Sequence, residues 1–272
     1  MRGITGLFYQ RLEGIEQYVH LLGDLHQLGA SNPALSATRT LLGRRATGVR
    51  HRLRLYRDWE TISLDACVLS IAAEFELAAR DLAEWLVGSM CLKVQTYNDL
   101  PDKIKQENVR QVGELLRSVG RPRVAHINYI NVVSDLAQST TVGTPVAVFA
   151  EGFAMHDQNL RAEQLSEIYG RARVKDLWPR LGANRWLRAY FGGLAAAETP
   201  ARGKLNEFME HRNQIAHRGA SYQTLGPTIV LDFILFFRCL VGALARVLDR
   251  HLADFPDTAV SCAAGAEENR SD

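Results

Sequence analysis

The segment Thr228 to Leu248, TIVLDFILFFRCLVGALARVL, limits what this chain can fold into more than any other stretch. It is almost wholly apolar, but Asp232, Arg238 and Arg246 interrupt it. Charges at those depths make a membrane-spanning helix costly, so the segment reads as a core or interface helix. Gly226-Pro227 opens this helix and it ends near Phe255. A core helix of that length needs other helices to cover it. Two more long stripes are present. Leu64, Val68, Ile71, Phe75, Leu82, Leu86 and Met90 recur at helical spacing between Asp58 and Lys93. Leu7, Phe8, Leu12, Ile15, Val19, Leu22 and Leu25 do the same over residues 4–28. The pattern predicts an all-α chain. Its 272 residues suffice for one large helical domain, or one domain with an appendage.

The remaining boundaries follow from breakers and caps. Ser31-Asn32-Pro33 stops the first helix. Asp99-Leu100-Pro101 opens a helix that runs to about Val119, and Gly120-Arg121-Pro122 ends it. A short helix follows from Tyr129 to Gln138. Residues 139–156, STTVGTPVAVFAEGFAMH, have little helical periodicity and read as a loop or a short β-excursion. Asn159 reads as the N-cap of a helix from Leu160 to Tyr169. Leu177-Trp178, Trp186-Leu187 and Tyr190-Phe191 supply aromatic packing before a loop at Ala197 to Gly203. The tail from Pro256 to Asp272 is small, polar and charged, and predicts disorder.

Composition excludes several classes of function. Cys67, Cys91, Cys239 and Cys262 form no CxxC pair, and three lie in apolar helical contexts. They predict reduced thiols in a cytoplasmic protein and no metal site. His20 and His26 have no acidic or Cys partner at ligand spacing and read as partly exposed helix residues. The N-terminus lacks the long apolar region of a signal peptide. No Gly-rich phosphate loop and no internal repeat is present, so no cofactor is expected.

The chemistry is concentrated in Glu207 to Gly219, EFMEHRNQIAHRG. Leu205, Phe208, Met209 and Ile215 give an amphipathic helical rhythm, and Gly219 suits a left-handed stop. Asn213 and His217 are one turn apart on one face, and the fork of Arg212 can reach the same space. A planar cation, an amide and an imidazole near a helix end can hold a phosphodiester and move protons on it. Arg-x4-His occurs three times: Arg121–His126, Arg212–His217 and Arg246–His251. Only the middle copy has Asn after Arg and Gly after His. The plainer reading is a surface Arg beside a helix-capping His.

That context resembles the signature of the HEPN (higher eukaryotes and prokaryotes nucleotide-binding) superfamily, whose ribonuclease members carry Arg, a polar residue, a short spacer and His. The likeness spans about residues 58–255 in helix order and is closest to the larger RiboL-PSP-HEPN-like type. It implies an up-and-down helical bundle, with residues 1–57 as an added N-terminal helical segment and 256–272 as a tail. It further implies metal-independent RNA cleavage, a homodimer with a composite active site, and a toxin–antitoxin or antiviral-defence setting with an antitoxin or defence-system partner. Phe75-Glu76 resembles an aromatic–acid pair of large HEPN domains, which implies that Glu76 steers Arg212. HEPN toxins silenced by adenylylation carry a Tyr two residues after the His. That position is Gly219 here, with Tyr222 further on, so the resemblance does not extend to that mode of silencing.

Residues 34–57 are the most one-sided in charge. Arg39, Arg44, Arg45, Arg50, Arg52, Arg54 and Arg57 have no acidic residue among them. Arg44, Arg45, Arg50, Arg52 and Arg54 are the expected RNA-contacting residues, because arginine forks grip phosphates and release counterions. A solvated or partner-facing surface is the competing reading. For the whole chain, the alternative to an endoribonuclease is a non-catalytic HEPN-like module that binds nucleotide, RNA or a partner protein.

Overall fold

The apolar stripes emerge as helices that bury them. The structure, a computed structural model, describes residues 1–30, 59–144, 146–156, 159–217 and 225–258. The helices are α1 (Arg2–Ala30), α2 (Trp59–Leu92), α3 (Asp102–Ser118), α4 (Tyr129–Thr141) and α5 (Ala150–Ala154), followed by α6 (Ala162–Arg171), α7 (Leu177–Gly182), α8 (Arg185–Tyr190), α9 (Glu198–His217) and α10 (Pro227–Ala253). Single 3-10 turns lie at Tyr97–Asp99 and Pro122–Val124. No strand occurs among the described residues, and the fold is all-α.

Helix α10 carries the apolar segment Thr228 to Leu248. By length and composition it could cross a membrane, but 56% of its most apolar window is buried inside the protein. Phe233, Phe236, Phe237, Leu240, Val241, Leu244 and Leu248 are all fully shielded from solvent. Each contributes roughly 1.5–3 kcal/mol of burial, which favours a core helix.

Three expectations are corrected. Residues 139–156 form neither one loop nor a strand: α4 continues to Thr141, and α5 occupies Ala150–Ala154. Local periodicity missed α5 because a five-residue helix is held by its neighbours. A Cβ on Gly152 would come within 2.5 Å of the Phe149 ring and 2.8 Å of Gln111 Cβ. Asn159 does not cap α6; Arg161 holds that position. The oxygen that accepts the Ala162 N–H comes from the Asn206 side chain, 3.0 Å away on α9. The expected loop at Ala197 to Gly203 is helix from Glu198 onward, with Pro200 in the first turn, where a missing N–H costs little.

The chain divides into two interleaved compact units. One comprises Met1–Thr5, Glu76–Asn206 and Leu240–Asp272, and holds α3 to α8 with parts of α1, α2, α9 and α10. Here Asn108, buried on α3, donates to the Tyr97 hydroxyl (3.1 Å) and accepts the Phe149 N–H (2.9 Å). Buried Tyr169 donates to the Ala79 carbonyl (2.8 Å), and Trp178 Nε1 donates to the Ala162 carbonyl (2.9 Å). Arg171, one-tenth exposed, donates to the Phe153 and Met155 carbonyls and to Glu167 Oε1, tying α6 to α5.

The second unit comprises Gly6–Phe75 and Glu207–Cys239. Phe8, Leu12, Val19 and Leu22 form the buried stripe of α1. Polar contacts fix that helix beside its neighbours. Arg11 pairs with Glu74 (2.7 Å), Glu16 with Arg238 (2.7 Å), and the Tyr9 hydroxyl donates to the Arg238 carbonyl (3.3 Å). His26 also has a partner that spacing did not disclose, Glu60, at 2.7 Å. Phe75, Phe208, Phe233, Phe236 and Phe237 form an aromatic cluster with centroids 4.6–5.3 Å apart.

Candidate active site at the C-terminal end of α9

The roll of α9 about its axis is set by what it buries. Phe208 and Met209 are fully buried and Ile215 nearly so. The Phe208 ring packs edge-on against Phe233 (4.9 Å) and Phe237 (4.6 Å), and the His211 ring meets Phe233 at 6.1 Å. Arg212 and Asn213 follow Phe208 and Met209 by one turn and so stand at the margin of that buried face. Arg212 and Asn213 are half-buried and His217, the last helical residue, is exposed. Arg212 Nη1 lies 3.5 Å from Asn213 Oδ1, so the amide oxygen holds the guanidinium from one side. His217 follows Asn213 by one turn, on the same face. A helix end of this kind presents a fixed cation, an amide and an imidazole to solvent.

The histidines of the other two Arg-x4-His copies have partners within the fold. His126 lies beyond the Pro122–Val124 turn, with Nε2 2.6 Å from Glu151 Oε1. His251 Nε2 lies 3.2 Å from the Ala172 carbonyl. Burial lowers its pKa from the ordinary imidazole range, against the opposing pull of that carbonyl. His126 and Glu151 also line a cleft of about 350 Å³ with Asn128, Asn131 and Asp135. Its two carboxylates make it a poor cradle for phosphate.

Glu76, the other residue assigned to the site, is half-buried on α2 and belongs to the first compact unit, whereas Arg212 and His217 belong to the second. Arg44, Arg45, Arg50, Arg52 and Arg54 lie outside the described residues, as do Gly219, Tyr222 and Cys262. The thiols that are described are poor nucleophiles, because burial pushes Cys67 and Cys91 up to about 11 and raises Cys239. One feature escapes a reading by spacing. Leu187 is fully buried, but its neighbour Trp186 is 46% exposed, with two guanidiniums over its ring.

The family model described as RiboL-PSP-HEPN matches residues 57–250, well over half of the chain. The chain belongs to the RiboL-PSP-HEPN family. No curated protein and no solved structure matches it. The match begins just before α2 and ends within α10, so α1 is an addition to the RiboL-PSP-HEPN region. The polar end of α9 lies inside that region. HEPN modules are frequently ribonucleases, and residues 57–250 of this chain are a HEPN module.

Proposed function

We propose that this HEPN protein is a metal-independent endoribonuclease and that Arg212, Asn213 and His217 are its catalytic residues. The observation that carries the reading is the polar end of α9, where half-buried Arg212 and Asn213 stand one turn beyond Phe208 and Met209 and exposed His217 closes the helix. The RNA 2′-hydroxyl loses its proton to an imidazole as its oxygen attacks the adjacent phosphorus. The bond from phosphorus to the 5′-oxygen breaks, and that oxygen takes up a proton. The products are a 2′,3′-cyclic phosphate and a 5′-hydroxyl end. Arg212 offers a fixed positive charge to the pentacoordinate phosphorane, a contribution on the order of 10²–10³ in rate for one well-placed donor. Asn213 holds the guanidinium, and His217 transfers the protons.

One protomer supplies one such imidazole, whereas base and acid are both needed. A homodimer that brings two α9 ends together supplies both. The arginine run at 39–57 is proposed to track the RNA backbone, and Glu76 to steer the arginine. A toxin or antiviral-defence role in the cytoplasm, restrained by a partner protein, follows from the same reading. The runner-up, a binding module without catalysis, keeps the polar helix end as a nucleotide contact.

The test is incubation of total RNA with purified protein in EDTA, comparing wild type, Arg212→Ala and His217→Ala. Cleavage by wild type alone is the expected result. Equal cleavage by all three removes the assignment, and RNA binding with no cleavage by any of them favours the binding module.

A further inference from the structure

Trp186 sits at the start of α8, its backbone N–H held 2.9 Å from the Asn184 side-chain oxygen. That cap fixes where the ring stands. The adjoining Leu187 faces the core and the indole does not. The Arg185 guanidinium carbon lies 4.7 Å from the Trp186 ring centroid, and that of Arg246, from α10, lies 5.6 Å from it. Both arginines are exposed, and neither forms an ion pair among the described residues. Asp249, one turn beyond Arg246, forms no ion pair among them either. Two elements far apart in sequence thus bring positive charge to one exposed aromatic ring.

Packing does not account for this arrangement. An indole that serves the core is covered, as Trp178 is at 3% exposure. Cation–π attraction at an exposed ring contributes only about 0.5–1 kcal/mol for each cation, too little to explain an indole left in water. A ligand that joins a flat π-face to a regularly spaced anion matches the surface on both counts.

Resting on the reading of this chain as a ribonuclease, we infer that Trp186, Arg185 and Arg246 form a docking platform for single-stranded RNA. A base stacks on the indole and its guanidinium neighbours, and the flanking phosphates take the two arginine charges. Duplex RNA fits less well, because its bases are already stacked and leave no free π-face for the indole. An acidic protein would satisfy the charges but leave the ring without a planar partner.

The experiment uses full-length protein carrying His217→Ala, so that RNA is not turned over. The probe is a labelled single-stranded RNA about 12 nucleotides long, within the span such platforms cover. Trp186→Ala weakens binding about 5- to 150-fold, the range of one missing base stack, and Trp186→Phe recovers most of it. Arg185→Gln with Arg246→Gln flattens the salt dependence by about 0.7 of a slope unit for each phosphate that is no longer neutralised. Because all three side chains are exposed, the thermal transitions of the variants match that of the parent. Unchanged affinity and slope in both variants overturn the platform. Wild-type cleavage is scored separately, so the platform can fail while His217-dependent cleavage stands. Cleavage can likewise fail while Trp186-dependent binding persists. Binding of polyglutamate in place of RNA, abolished in Trp186→Ala, also overturns the inference and identifies an acidic protein as the occupant.

Discussion

In the proposed reaction Arg212 and His217 have separate tasks on the last turns of α9, and their substitutions separate those tasks from stability. Both side chains reach solvent, so truncation removes little packing and leaves the melting temperature within a few degrees of wild type. Cleavage by either alanine variant falls by at least about 100-fold, the scale of a missing general base or oxyanion donor. Arg212→Lys does not restore it, because a point charge cannot reproduce a fork held at Asn213. Single-turnover cleavage beside a melting curve checks all three. Arg212 and His217 stand out in sequence as candidates because their neighbours differ from those of the two other Arg-x4-His copies. Trp186 is not, because Arg-Trp-Leu does not say which residue the core takes; that depends on how α8 lies. The cap of α6 fails for a related reason. Asn159 is nearby in sequence, but the oxygen that reaches Ala162 belongs to Asn206, which only the fold brings there.

Long helices are legible because a stripe repeated over many turns outweighs local accidents, as α2 and α10 demonstrate. Short ones depend on single close approaches, and α7 is the clearest case. A Cβ at Gly182 would lie 2.5 Å from the Glu198 backbone nitrogen, and the Gly182 carbonyl accepts the Ala197 N–H at 3.0 Å. Gly182→Ala therefore pushes the end of α7 against the start of α9 and destabilises the protein by about 1–3 kcal/mol, measured by urea unfolding. On α3, Glu107 links two more elements. Burial opposes its charge, but hydrogen bonds from Arg110 and Gln111 and the charges of Arg110 and Arg171 outweigh burial and hold the carboxyl below its ordinary range. A depressed carboxyl stabilises the folded state above the ordinary carboxylate value of 4.5 and loses that contribution as pH falls through its lower folded value. Glu107→Gln accordingly destabilises most near neutral pH, and its difference from wild type shrinks below about pH 4 in acid-titrated melting curves. A pH-independent difference contradicts this role for Glu107.

At the scale of the whole molecule, a composite site requires that two polar α9 ends meet. Light scattering at the concentration of the cleavage assay is predicted to give a homodimer, and a fully active monomer removes the composite site. The measurement that bears most directly on the central claim is the chemistry of the cut ends. A defined single-stranded RNA is incubated with wild-type protein in EDTA, and its fragments are analysed by mass. The predicted products carry 2′,3′-cyclic phosphate and 5′-hydroxyl termini, absent from the His217→Ala reaction and from a substrate with a 2′-deoxy nucleotide at the cut position. Fragments ending in 3′-hydroxyl and 5′-phosphate, or cyclic ends produced equally by His217→Ala, contradict it.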